Sequence, residues 1–290
     1  MQIKHPIHRL SRSGSLFVLL LMFVLPGMAQ ASALERIFAP KAERWAFWDS
    51  SNAGATQKID HSQWSTLLGR YVDQGEDGIN RVRYSRVSET DRQRLQEYIT
   101  ALERTPIRGF ARTEQLAYWI NLYNALTVEV ILRHYPVSSI RDIDISPGFF
   151  ADGPWGKKLL TIENQQVSLN DIEHRILRPL WQDARLHYAL NCASIGCPNL
   201  STTAYDTASM NRQLDQAAAA YINNPRGVTL KEGRLSLSSI YSWFQDDFGA
   251  SESAVIDHLK QYASAGLKES LSDNARIEGY GYDWSLNDMP

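Results

Sequence analysis

Hydrophobic residues are most concentrated between residues 112 and 136, where their spacing is that of an α-helix. Apolar side chains recur three and four positions apart, and others cover the remaining sides of the cylinder. A helix that is apolar nearly all round lies in the interior of a domain. Thr113 and Glu114 suit its amino-terminal end, and Pro136 suits its stop. The pattern predicts a buried central helix at about residues 113–135.

Shorter patterns on both sides of this stretch predict further helices and small hairpins. Helical periodicity is found at residues 34–48, 61–71, 88–102, 169–180, 204–222 and 253–262. Short extended segments flank turn residues at 158–168 and at 228–237, and each of these regions predicts an antiparallel hairpin. The predicted fold class is therefore α+β, a mainly helical single domain around the central helix with short antiparallel β-hairpins.

Composition and charge are those of an ordinary globular protein. Hydrophobic residues make up 43% of the chain and charged residues 21%. The net charge of −2 gives no electrostatic reason to expect nucleic acid or an anionic membrane surface as a partner. We therefore expect a globular protein with no nucleic-acid partner.

The beginning of the chain has the pattern of an export signal. Basic residues precede an apolar run at positions 16–25, and small residues at 29–33 offer a cleavage site. The apolar run is too short to span a bilayer, which needs about 20 residues. We predict that residues 1–33 are a cleaved signal peptide. The mature protein, residues 34–290, would then be periplasmic or secreted, without a stable membrane anchor.

Two asparagines interrupt the apolar surface of the predicted central helix. Asn121 and Asn124 lie one turn apart on one face, and each unmatched polar atom in a core costs about 1–3 kcal/mol. We expect both to face the segment that contains His187 or Glu173. Either could orient a catalytic imidazole or bind a ligand carbonyl. We favour satisfaction of neighbouring loop backbone, because partners for buried amides are obligatory.

The densest group of polar residues is the segment 187–198, which contains both cysteines of the chain. His187 near Cys192 and Cys197 would pair a base with a thiol nucleophile. A tight turn is predicted around Cys197 and would expose it. The alternative is a disulfide, because these are the only cysteines and the predicted compartment is oxidising. We favour the disulfide, or inert thiols, on that ground.

Charged residues are also dense along the helix predicted at 169–180. Glu173 next to His174 lacks the periodic spacing of metal ligands, so we expect neither a metal ion nor a cofactor. Arg178, directly ahead of a proline, is a candidate for a buried structural clamp.

Three blocks of the sequence resemble, in the same order, the family called domain of unknown function 547. The blocks are AYWINLYNALTVEVIL, SLNDIEHRILRP and LHYALNCASIGCPNL. The resemblance covers residues 112–200, with support to about residue 285 through SIYSWFQDDFG and YDWSLN, and implies one domain of this type over residues 34–290, in an exported bacterial member. Positions matching the family's motifs are Trp119, Asn121, Tyr123, Asn124, Glu173, Arg178, His187 and Pro198. The resemblance implies no assigned activity, and plant relatives can carry serine at the cysteine positions.

Binding without chemistry is the function that we favour from the sequence. A small ligand or a component of the cell envelope would occupy a cleft near residues 187–198, lined by the aromatic loop at 149–155. The side chains that would bind this ligand, or form a structural polar core beside it, are Trp119, Tyr123, Asn124, Glu173 and Arg178.

The alternative function is a hydrolase or transferase of the thiol type, acting on an amide or ester in the envelope. Cys197 or Cys192 would be its nucleophile, and His187 would be its base. Asn121 or Asn124 would orient the imidazole, as the third group of such sites does. The sequence does not decide whether the protein is an enzyme.

Overall fold

The computed structural model describes residues 39–148, 152–231, 234–271 and 276–289. The predicted signal peptide and the first part of the helix predicted at 34–48 lie outside these ranges. The rest of that helix prediction is wrong, because only Ala46–Asp49 is helical, as a 3-10 turn. The preceding residues form an extended strap instead. Backbone amides of Glu43 and Trp45 donate to the carbonyls of His174 (2.9 Å) and Arg175 (3.1 Å).

Helices account for most of the regular structure, which confirms the mainly helical α+β class. The α-helices are α1 Ser62–Tyr71, α2 Glu89–Glu103, α3 Arg112–His134, α4 Arg178–Trp181, α5 Leu186–Ala189, α6 Met210–Ile222, α7 Ile240–Trp243, α8 Glu252–Tyr262 and α9 Ala265–Ser270. A π-helix, Asp171–Leu177, continues directly into α4. Further 3-10 turns are Tyr84–Arg86, Ile107–Gly109, Ile140–Asp142 and Gln245–Phe248.

Short strands form hairpins and one small sheet. They are β1 Val72–Gln74, β2 Asn80–Val82, β3 Leu160–Ile162, β4 Gln165–Val167, β5 Val228–Lys231, β6 Arg234–Ser238 and β7 Arg276–Gly281. The hairpins β1–β2, β3–β4 and β5–β6 are antiparallel, and the last two confirm the predicted pairs. Strand β7 joins the edge of β6 in parallel. This long-range pairing follows from the path of the chain and has no local sequence signal.

The long helix α3 is the centre of the fold, as its apolar pattern predicted. Every residue from 114 to 132 is buried. Helix α2 and the π-helix pack against it. Within the described ranges, no helix is both long and apolar enough to cross a membrane.

The described residues form two hydrophobic clusters. The larger cluster surrounds α3, and the smaller one lies among α6, α8 and the sheet of β5, β6 and β7. Helix α5 lies between them, because Leu186 and Ala189 pack into the larger cluster while Tyr188 packs into the smaller. His187 is therefore held at the boundary of the two cores.

The two asparagines of α3 bind loop backbone, as we favoured. Asn124 donates to the carbonyl of Ala189 (2.9 Å) and accepts from the amide of Asn191 (2.8 Å), so it faces the segment that follows His187, as predicted. The corresponding prediction for Asn121 is wrong. Its carboxamide donates to the carbonyl of Tyr205 (2.8 Å) and accepts from its amide (2.9 Å).

The start of α6 also departs from the prediction. The helix expected from residue 204 begins at Met210. The amide of Ala204 donates to the hydroxyl of Ser65 (3.0 Å), and Tyr205 is held by Asn121. These tertiary bonds fix residues 204 and 205, and the Asp206 carboxylate accepts from the amides of Ala208 and Ser209, so the segment ahead of Met210 is a loop.

We expect Asn124→Leu to lower the melting temperature by several degrees. The substitution leaves the buried Ala189 carbonyl and Asn191 amide unpaired, at about 1–3 kcal/mol each. In a domain of 150–250 residues, about 1 kcal/mol lowers the melting temperature by 2–4 °C. Differential scanning calorimetry measures the change.

Thr127→Val on the same helix is the matched control. The Thr127 hydroxyl is buried and has no hydrogen-bond partner in the described part of the chain. Its removal should therefore not lower the melting temperature, because an unpaired buried hydroxyl is itself destabilising. Equal losses in the Asn124 and Thr127 variants would contradict the assigned role of the carboxamide.

Candidate functional site

A cavity of about 740 Å³ lies where the two hydrophobic clusters meet. One wall is aromatic and is formed by Trp155, Trp243, Phe244, Tyr282 and Trp284. The lining also contains polar residues, namely Glu173, His174, His187 and Cys192. These side chains come from segments that are far apart in the sequence, so the cavity exists only in the folded chain.

The π-helix presents its polar residues to the cavity. The hydroxyl of Ser168 accepts from the amide of Asp171 (3.2 Å), and the Asp171 carboxylate accepts from the amide of Ser168 (2.8 Å), which fixes the start of the helix. At its end, the amide of Arg178 donates to the carbonyl of Glu173, five positions earlier. The predicted helix is therefore present with wider turns, a form that is frequent at functional sites.

Arg178 joins this helix to two other parts of the structure and also binds a histidine of the helix itself. Its guanidinium donates to the carboxylate of Asp247 (2.6 Å), the carbonyl of Pro40 (2.8 Å) and Nδ1 of His174 (2.9 Å). The side chain is buried, and its charge is compensated by Asp247. Asp247 also binds Nε2 of His187 at 2.7 Å. The two histidines are thus linked through one ion pair.

The protonation of this network follows from its contacts. Burial opposes ionisation of Asp247, but hydrogen bonds from His187 and Arg178 outweigh it and hold the pKa of the carboxyl well below its usual range. Burial lowers the pKa of His174 to about 4, so this ring is neutral near pH 7. Because Arg178 donates to Nδ1 of His174, the ring proton is on Nε2.

The contact between His187 and Asp247 defines the hydrogen-bonding roles of the two ring nitrogens of His187. Its Nε2 faces the ionised Asp247 carboxylate, which can only accept, so Nε2 carries a proton. In the neutral ring, Nδ1 is then an acceptor, and no described residue donates a hydrogen bond to it. The imidazole stacks on Phe244, with ring centroids 4.5 Å apart and planes inclined by 14°. These contacts fix the orientation of the ring.

The cysteine loop, residues 190–198, folds back on itself beside the cavity. Ala193 has a φ of 58°, in the left-handed region that costs a non-glycine residue about 1–2 kcal/mol. Its amide donates to the carboxamide of Asn191 (2.9 Å), which supports this conformation. The reversal brings the Sγ atoms of Cys192 and Cys197 to 2.7 Å, and both cysteines are free thiols. A disulfide, with an S–S distance of about 2.05 Å, stays a prediction.

The predicted exposure of Cys197 is wrong, because its side chain is only 3% exposed, whereas Cys192 is half-buried. The C-terminal segment, residues 282–289, covers the turn. The amide of Gly196 donates to the carbonyl of Asp283 (2.8 Å), and a Cβ at Gly196 would lie 2.7 Å from the Asp283 nitrogen. The turn predicted around Cys197 is present, but its outer side packs against the C-terminal segment and does not face solvent.

The two thiols differ in their environment. Burial raises the pKa of Cys192. Hydrogen bonds from Cys197, Ser194 and Tyr282 together lower this pKa by a larger amount, so the net shift is downward. The sulfur lies 3.3 Å from the Ser194 hydroxyl and 3.0 Å from the Tyr282 hydroxyl. Burial and the neighbouring Cys192 raise the pKa of Cys197. Cys192 is therefore the more acidic thiol.

The other site residues predicted from the sequence are divided between the cavity and the core. Tyr123 lines the cavity. Trp119 packs edge-on against Trp48, with ring centroids 5.0 Å apart, and Asn121 holds the loop before α6. Of the predicted aromatic loop, Trp155 lines the cavity, and residues 149–151 lie outside the described ranges. His187 makes no hydrogen bond to either cysteine in the described structure.

Two important residues of the site were missed at the level of the sequence. Asp247 orients His187 from behind the cavity lining, and Tyr282 lines the cavity and contacts the thiol of Cys192. Both lie in the outer blocks of the family resemblance, SIYSWFQDDFG and YDWSLN, so a signal for them was present. No group of three or more His, Cys, Asp or Glu residues in the described ranges is placed to hold a metal ion.

Fold and site together define an α+β protein in which an aromatic-walled cavity contains two differently protonated imidazoles and a thiol pair. The family described as "Protein of unknown function, DUF547" matches residues 107–222. The matched region contains all three sequence blocks, which confirms their resemblance to this family. Comparisons with curated proteins and with solved structures found no match.

We expect the free energy of unfolding to fall as the pH drops from about 6.5 to about 4, because the pKa of His174 is lowered to about 4. In this window the unfolded chain takes up a proton, at an ordinary pKa of about 6.5, that the folded ring excludes. The loss at pH 5 should be on the order of 1–2 kcal/mol for this residue. Urea unfolding at pH 7 and pH 5 measures it.

His174→Asn is the informative variant, because the asparagine oxygen can still accept from Arg178 while the titrating ring is gone. The difference in stability between pH 7 and pH 5 should shrink in the variant. His61 and His258, whose pKa values burial also lowers to about 4, should leave a residual slope. An unchanged slope in the His174 variant would count against its buried neutral form.

Proposed function

We propose that this protein binds a small, uncharged amide that carries a flat ring, in the cavity beside the cysteine loop. The observation that supports this most directly is the opposite hydrogen-bonding character of His174 and His187 next to an aromatic wall. A volume of about 740 Å³ lies within the usual range for small-molecule sites, about 300–1,000 Å³.

The aromatic wall suits a flat ring. Trp243 and Trp284 are stacked, with centroids 5.7 Å apart and planes inclined by 27°. Tyr282 lies against both, with centroid distances of 4.9 Å to Trp243 and 4.6 Å to Trp284. All three side chains are half-buried, so part of each is accessible from the cavity. Aromatic pairs contribute about 0.5–1.5 kcal/mol beyond the burial of their area.

The imidazoles suit an amide group. His174 has its proton on Nε2 and can donate, while Nδ1 of His187 can accept in the tautomer that donates from Nε2 to Asp247. An amide offers a carbonyl acceptor and an N–H donor side by side, so one group can satisfy both rings. An ester or a simple hydrocarbon would leave one of them unpaired, at about 1–3 kcal/mol.

The charges around the cavity favour an uncharged ligand. Arg178 is paired with Asp247, and Arg141 is paired with Asp152. The acidic side chain of Glu173 lies 3.9 Å from Nδ1 of the neutral His174 and has no arginine or lysine beside it among the described ion pairs. An anionic ligand would be repelled by Glu173 and would find both arginines already compensated. This distinguishes a carboxamide from the corresponding carboxylate.

We expect benzamide and acetanilide to change the intrinsic tryptophan fluorescence on binding, and benzoate to bind more weakly than benzamide. Trp243→Ala and Trp284→Ala should each weaken amide binding by about 3- to 10-fold, since a lost ring contact costs about 0.5–1.5 kcal/mol. Isothermal titration calorimetry of the same variants gives the dissociation constants without relying on fluorescence.

Trp181→Ala is the matched control. Trp181 is also half-buried, but it lies outside the cavity, under the guanidinium of Arg112. Its removal should leave the affinity for benzamide unchanged. Equal weakening by the Trp181 and Trp243 variants, or tighter binding of benzoate, would contradict the proposed site.

A second candidate function is thiol-type hydrolysis or transfer on the bound amide or on an ester. It is favoured by the presence of Cys192 and His187 in the lining of one cavity. Cys192 would be the nucleophile, because it is half-buried and more acidic than Cys197. His187 would act as the base, positioned by Asp247 rather than by Asn121.

For this candidate we expect iodoacetamide to alkylate Cys192 in the native protein and Cys197 only after unfolding. The rate at Cys192 should persist to lower pH than for an ordinary thiol, because its pKa is lowered. Peptide mass spectrometry identifies the labelled residue.

Hydrolysis of an aryl ester should then be lost in Cys192→Ser and reduced in Asp247→Asn. Alkylation of Cys192 without any turnover would leave binding as the function.

A further inference from the structure

We propose that Cys192 and Cys197 are a thiol–disulfide exchange pair that reduces small disulfides entering the cavity, with Cys192 as the attacking thiol and Cys197 as the resolving thiol. This inference goes beyond the proposed binding function and depends on the geometry of the cysteine loop. It would hold whether or not the cavity also binds an amide.

The first observation is the approach of the two sulfurs. The Sγ atoms are 2.7 Å apart in the reduced protein, and a disulfide needs about 2.05 Å. The loop is therefore closed already, and bond formation requires a displacement of less than about 1 Å. The backbone amide of Cys192 also donates to the sulfur of Cys197 (2.8 Å), which holds that sulfur beside its partner.

The second observation is that the two sulfurs differ in accessibility. Both cysteines line the cavity, but Cys192 is half-buried whereas Cys197 is only 3% exposed. A disulfide in the cavity would meet Cys192 first. Cys197 would then attack Cys192 rather than a second substrate. This order is what a nucleophilic and a resolving cysteine require.

The third observation concerns the donors around Cys192. The hydroxyls of Ser194 and Tyr282 lie 3.3 Å and 3.0 Å from its sulfur, and the thiol of Cys197 is directed at it. All three can donate to a thiolate, Ser194 by turning its hydroxyl away from the oxygen of Tyr282, to which it donates at 3.2 Å. Their effect outweighs burial and lowers the pKa of Cys192, which favours its nucleophilic thiolate form.

The reaction balances without a metal or cofactor. The thiolate of Cys192 attacks one sulfur of R–S–S–R′, forms a mixed disulfide with R–S, and releases R′–S⁻, which takes up a proton. Cys197 then loses its proton, and its sulfur attacks Sγ of Cys192 and releases R–S⁻, which is also protonated. The substrate disulfide gains two electrons and the cysteine pair loses two. An external dithiol returns the pair to its reduced form.

The test uses 4,4′-dithiodipyridine, a small aromatic disulfide whose released thiopyridone absorbs light. The pre-reduced wild-type protein should release two equivalents of thiopyridone per chain, the second by an intramolecular step whose rate is independent of reagent concentration. Mass spectrometry should then find a Cys192–Cys197 disulfide and no attached thiopyridyl group. With dithiothreitol present, reduction of the reagent by catalytic amounts of protein should exceed the uncatalysed rate.

Two near-isosteric variants separate the roles of the cysteines. Cys197→Ser should release one equivalent and retain a thiopyridyl group on Cys192. Cys192→Ser should lose the fast reaction, because the remaining thiol is buried. Ser194→Ala removes one donor to Cys192 and should slow the first step more at pH 6 than at pH 8. A stable thiopyridyl adduct on Cys192 of the wild-type protein would overturn the proposal.

Equilibration of the wild-type protein in glutathione buffers gives a result that does not depend on any variant. The proposal requires the loss of both free thiols in one two-electron transition. Separate modification of the cysteines by glutathione, or Cys197 reacting as fast as Cys192, would contradict it. Hydrolysis of aryl esters without disulfide reduction would assign Cys192 to the second candidate function instead.

Discussion

The ion pair between the buried Arg178 and the half-buried Asp247 is the contact on which the geometry of the site depends. Arg178 lies at the end of the π-helix, and Asp247 lies in the 3-10 turn after α7. The same guanidinium binds the extended strap through Pro40, and the same carboxylate binds His187. Removal of one partner from such a pair leaves an uncompensated buried charge, at about 3–5 kcal/mol. The pair therefore fixes the boundary between the two hydrophobic clusters.

The cavity is a consequence of that boundary. Two apolar clusters meet along helix α5, and the polar groups between them are satisfied by one another rather than by the cores. The C-terminal segment closes the other side, where it covers the turn at Gly196 and brings Tyr282 to the sulfur of Cys192. Two imidazoles and two unequal thiols are thus placed in the lining of one open cavity, where binding and thiol chemistry can share the same residues.

Much of the fold could be predicted from local patterns. The apolar cylinder of α3 and the two hairpins β3–β4 and β5–β6 follow from hydrophobic period and turn residues, which act within a few positions. The errors have a common cause. The strap before Ala46 and the loop at residues 204–209 look helical by composition, but their backbone groups bond to distant segments. Tertiary hydrogen bonds override weak local propensity there.

For the site, the sequence by itself determined which groups are present and which must be buried. It identified His187, Glu173 and the cysteines as a polar group beside a buried helix, and it required partners for Asn121 and Asn124. Only the tertiary structure decided which partners they have. It placed Asp247 on His187, buried Cys197 and left Cys192 in the cavity wall. The physical reason is that pKa, exposure and hydrogen-bonding role depend on neighbours that are distant in the sequence. Cys192 and Tyr282 are 90 positions apart, and no local pattern specifies such neighbours.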